Sequence, residues 1–72
     1  MRIMRRSSVT TYSEEAERRA LAYILGSAPG VNQFEVAGIH PKGGYWVKIQ
    51  MNHEFFDNFH SYLETTDWMV VI

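Results

Sequence analysis

The chain has 72 residues, close to half of them hydrophobic, with seven Lys or Arg against eight Asp or Glu and no cysteine. That length allows one domain of thin stability, the near-neutral charge excludes both a strongly basic nucleic-acid binder and an acidic nucleic-acid mimic, and the missing cysteines exclude disulfides and thiolate metal sites. No apolar run approaches the roughly 20 residues that cross a bilayer and no secretion signal follows Met1, so the expected setting is the cytoplasm, without a membrane partner.

Residues 1–10 admit two readings. Ile3 and Val9 share one alternating face, separated by Arg5 and Ser7, which describes a strand; Arg2, Arg5 and Arg6 equally describe a flexible basic arm. The strand is favoured. No Lys or Arg follows Ile49, where Glu54, Asp57, Glu64 and Asp67 are the only charges, so the molecule is either bipolar or has its basic segment lying across its acidic end.

Ser13 is a good N-cap, Glu14, Glu15 and Glu17 place negative charge at the positive end of a helix, and Gly26 ends it. Its expected inner stripe is Ala16, Ala20, Tyr23 and Ile24, with Leu21 at the margin. Glu14 with Arg18 and Glu15 with Arg19 stand at the favourable i, i+4 spacing, which suits solubility and helix support. Ser27-Ala28-Pro29-Gly30 reads as a loop.

Residues 31–51 read as a hairpin turning at His40-Pro41-Lys42-Gly43-Gly44. On its first strand Phe34 and Val36 face one way and Glu35, Ala37 and Ile39 the other. On the second, Tyr45, Val47, Ile49 and Met51 share the core face, which leaves Trp46, Lys48 and Gln50 opposite. A large aromatic on an uncovered sheet face is a common feature of binding surfaces.

A second helix starts near Asn52 with the stripe Phe55, Phe56, Phe59, Tyr62 and Leu63, and closes at Thr65-Thr66-Asp67. His53, Asp57 and His60 stand at i, i+4 and i+7, a spacing that could hold a metal, but without a fourth ligand they read as a solvated face and no metal or cofactor is expected. The apolar run Trp68-Met69-Val70-Val71-Ile72 then requires strand partners. Phe34, Val36, Val47, Ile49, Phe55, Phe59 and Leu63 are expected to form one core.

The order is therefore β-α-β-β-α-β, the split β-α-β or ferredoxin-like sandwich with two helices on one face of a small antiparallel sheet. The alternative is α-β-β-α-β behind a basic arm. The segment Lys42-Gly43-Gly44-Tyr45-Trp46-Val47-Lys48-Ile49 resembles the third-strand signature of RNA recognition motifs, a basic residue and glycine followed by aromatics. In this chain Gly44 stands where that family has a stacking ring, and Ile3-Met4-Arg5-Arg6-Ser7-Ser8 lacks the aromatic of the partner motif.

No phosphate-binding loop, nucleophile elbow or paired acids occur; Ser7, Ser8, Thr10 and Thr11 read as strand and capping residues, and an enzyme is not expected. Two functional classes follow. The first is a protein-binding module, an inhibitor or regulator of the size carried by phage and mobile elements, anti-CRISPR proteins among them, acting through Trp46, Lys48, Glu35, Ile39 and Gln50. The second is single-stranded RNA or DNA binding on the same face, with Arg2, Arg5, Arg6 and Lys42 as phosphate contacts. A ligand-sensing homodimer is a third.

Overall fold

The computed structural model describes residues 1–7 and 12–72. Four strands, β1 (Arg2–Arg5), β2 (Val31–Ile39), β3 (Tyr45–Met51) and β4 (Trp68–Val71), alternate with two helices, α1 (Glu14–Gly26) after β1 and α2 (Phe56–Glu64) after β3. The sheet order is β2-β3-β1-β4, and every neighbouring pair is antiparallel. The amino-terminal segment is thus a central strand, hydrogen-bonded on both sides. Val9, assigned with Ile3 to one strand face, lies outside the described residues, as do Ser8, Thr10 and Thr11.

Alternation along β1 sends Ile3 into the core, fully buried, beside Tyr45 of β3 and Val70 of β4. Leu21, Leu25, Ala28, Val47, Phe59, Leu63 and Trp68 complete the same cluster. Both helices therefore cover one sheet face, and the Tyr62 hydroxyl joins them by donating to the Ile24 carbonyl at 2.9 Å.

The α1 cap forms as its sequence dictates, the Ala16 amide donating to Ser13 Oγ at 3.2 Å. Its buried stripe, however, is Glu17, Leu21 and Leu25, and Tyr23 is 75 % exposed. Long leucines spaced i, i+4 fill the space above the sheet better than alanines do, so the helix is rotated from the expected setting. On α2, which is preceded by a 3-10 turn at His53–Phe55, Phe59 and Leu63 are buried as expected whereas Phe56 is 44 % exposed.

The expected core is corrected at two more positions. Phe34 pairs with Ile49 on the helix-side face, but β2 is the sheet edge and its ring is left at the rim, over Gly26. Phe55 is half-buried against Gly30, whose φ of +78° and close approach to that ring leave no room for a side chain.

The hairpin register carries two bulges. Asn32 and Ala37 are the extra residues, between the pairs Val31–Met51 and Gln33–Gln50 and between Val36–Val47 and Gly38–Trp46. Each bulge shifts the two-residue alternation, with direct consequences for the helix-free face.

Candidate partner-binding face

Trp46 lies directly across from Arg2 on β1 and from Gly38 on β2, so these three residues share the sheet face that, among the described residues, no helix covers. Lys48 pairs with Glu35 and Gln50 with Gln33 on that same face. Trp46 is 47 % exposed, and with Met1, Ala37, Gly38, Val47 and Lys48 it lines a shallow groove of about 390 Å³. Gly38 gives the groove its open floor, since nothing stands within 4 Å of where its side chain would begin.

Four of the five residues expected on this face are there. Ile39 is not. The bulge at Ala37 moves Gly38 to the Trp46 side and returns Ile39 to the helix side, opposite Tyr45, where it is 57 % exposed at the strand end. His40 is the residue that sequence reasoning missed. Its ring stands 4.7 Å from that of Trp46, tilted by 53°. A glycine within a strand signals such a bulge, so Gly38 was the available clue.

The turn beside Trp46 is tightly specified. His40 donates its amide to the Gly44 carbonyl at 2.9 Å, the Gly43 amide donates to the His40 carbonyl at 3.0 Å, and the Lys42 amide donates to His40 Nδ1 at 3.0 Å. Arg2 clamps the turn from β1, with Nε donating to the Gly43 carbonyl and Nη2 to the Lys42 carbonyl, both at 2.7 Å. Partial desolvation, followed by the charges of Arg2 and Lys42, lowers the His40 pKa from its ordinary value. Neutral His40 is also the form whose Nδ1 can accept the Lys42 amide.

Two of the four residues expected as phosphate contacts have partners elsewhere in the fold, Arg5 inside it and Arg6 at its exposed surface. Arg5 lies on the helix-side face and donates through Nε and Nη2 to both oxygens of Glu17, at 3.0 and 2.8 Å, and through Nη1 to Asp67 Oδ2 at 2.9 Å. Its guanidinium carbon lies 4.6 Å from the centre of the Trp68 ring and 5.6 Å from that of Tyr12. These carboxylates raise its pKa further above neutrality, the Glu17 hydrogen bonds most. Arg6 donates to the Thr66 carbonyl at 3.2 Å and the Leu63 carbonyl at 3.4 Å, closing the carboxyl end of α2. The basic segment thus lies across the acidic end of the chain.

Gly44, the position at which RNA recognition motifs carry a ring, has a φ of +77° and packs against the Ile3 carbonyl and Met4. A stacking side chain cannot be accommodated there. His53 sits in the 3-10 turn edge-on to Phe56, and His60 lies against Phe59. Among the described residues no three His, Cys, Asp or Glu come together as a metal site, and no helix is long and apolar enough to cross a membrane. Comparison with family models, curated proteins and solved structures returns no match.

Proposed function

We propose that the protein is a small, non-enzymatic protein-binding module of the cytoplasm, an inhibitor or regulator of a larger complex like the anti-CRISPR proteins of phage and mobile elements. We further read its architecture as the ferredoxin-like sandwich. The order β2-β3-β1-β4, antiparallel throughout and with one core between sheet and helices, supports that reading.

One observation carries the functional reading: Trp46, a residue type enriched in binding hot spots, is half-exposed beside an apolar groove on the sheet face opposite α1 and α2. Arg5 and Arg6 being committed to internal partners, and Gly44 excluding a second ring, favour a protein over a nucleic acid on this face.

The test is capture from cell lysate on the immobilised protein, with and without nuclease, alongside the Trp46→Ala variant. Proteins retained after nuclease by the parent and lost from the variant support the reading. Material released entirely by nuclease assigns the face to nucleic acid.

A further inference from the structure

The helix-free face is positive in a molecule that is, as a whole, slightly negative. Arg2 and Lys48 on the face, with Lys42 at its turn, stand against Glu35 alone; the other carboxylates belong to α1, to α2 and its 3-10 turn, and to the segment before β4. Among the described residues neither Lys42 nor Lys48 has an ion-pair partner. Arg2 meets two carbonyl oxygens and the Met4 sulfur, and its charge is not neutralised. Desolvation first, and then the charges of Arg2 and Lys42, lower the pKa of His40 beside this face.

The cations also have an order. Arg2 and Lys42 meet at the turn, before Trp46, whereas Lys48 follows Trp46 by two residues, roughly 7 Å along a strand. Trp46 stands between them, and the apolar groove that it lines together with Lys48 opens beside it. An extended chain places side chains of one face two residues apart, so acidic, apolar and acidic residues at alternate positions match this surface in both spacing and sign.

We propose that the Trp46 face receives an extended acidic segment of a protein partner, its apolar side chain seated in the groove beside Trp46 and one carboxylate directed to each side, toward Arg2 and Lys42 and toward Lys48. The proposal rests on the reading of this face as the partner surface. A polyanionic strand fits less well, because one apolar groove beside Trp46, with Gly44 excluding a second ring, does not offer successive stacking surfaces for a series of bases.

Three blocked synthetic peptides test it, with the cores Glu-Ser-Tyr-Ser-Glu, Gln-Ser-Tyr-Ser-Gln and Lys-Ser-Tyr-Ser-Lys, beside a twelve-residue oligothymidine. Each is titrated into the full chain while the Trp46 indole N–H resonance is followed. The acidic peptide is expected to bind at least about tenfold more tightly than the glutamine peptide, and the Lys42→Glu, Lys48→Glu double variant to prefer the lysine peptide. Both lysines are exposed, and a thermal melt of the variant, in which the carboxylate introduced by Lys48→Glu would stand across from Glu35, checks that it is folded. Equal binding of the acidic and glutamine peptides overturns the charge assignment but leaves Trp46 as the contact. Binding that bypasses the Trp46 resonance overturns both readings, and tighter binding of oligothymidine at Trp46 replaces the protein partner with a nucleic acid.

Discussion

A charged side chain near the start of a chain is commonly solvated, and Arg5 is not. It spans a buried glutamate, an exposed aspartate and the face of a tryptophan, so that β1, α1 and β4 meet at one guanidinium. Removing it takes the cation from a carboxylate inside the fold. Arg5→Ala is expected to cost about 3 kcal/mol in urea unfolding, and Arg5→Lys to recover only part, because an ammonium cannot reproduce the two-pronged contact with Glu17. Asp67, at the exposed end of the same group, gives a pH signature. Hydrogen bonds from Arg5 and then Ser7 hold its carboxyl below the usual aspartate range. The folded state therefore releases that proton more readily than the unfolded chain does. Its contribution is present above a pH of about 4 and is lost as pH falls through the lower folded value. Asp67→Asn should accordingly flatten the acid limb of the stability curve and leave the slope near neutrality unchanged.

Among the elements, β1 decides whether the sheet exists. It is four residues long and lies between β3 and β4, so its loss would split the sheet. Amide exchange within Arg2–Arg5 should be as slow as in β3; fast exchange there would reduce the sheet to a hairpin and an unattached strand. In α2, Phe59 is fully buried, and Phe59→Ala should lower stability by about 3 to 5 kcal/mol, which a domain of this size can hardly survive. The existence and order of these elements were legible because the caps, the glycine-rich turn and the apolar periods are local signals. What could not be read was set by neighbours. The α1 stripe follows how far leucines reach toward a sheet, Phe34 lies at a rim because β2 is an edge, and Ile39 changes face because one bulge shifts the alternation after Val36. Trp46, Lys48 and Gln50 were readable as a set because both bulges lie on β2 and leave the alternation of β3 intact, and Glu35 because it lies between the two bulges, across from Lys48, whereas His40 joined them only through the turn and the shifted register.

For the whole molecule, two faces follow from one sheet. The helix side carries the core and most of the carboxylates, and the other side carries Trp46 among cations. A contact built on a desolvated tryptophan with rim charges should lose only modest affinity as salt rises from about 50 to about 200 mM, whereas one built on several phosphates would lose orders of magnitude. The direct test is Trp46→Ala, measured in thermal melting and in affinity for the captured partner. The side chain lies outside the core, so the melting temperature should stay near that of the parent while affinity falls by about 2 kcal/mol or more, roughly thirtyfold. A variant that unfolds would make Trp46 part of the core, and one that binds as tightly as the parent would remove the helix-free face from the function.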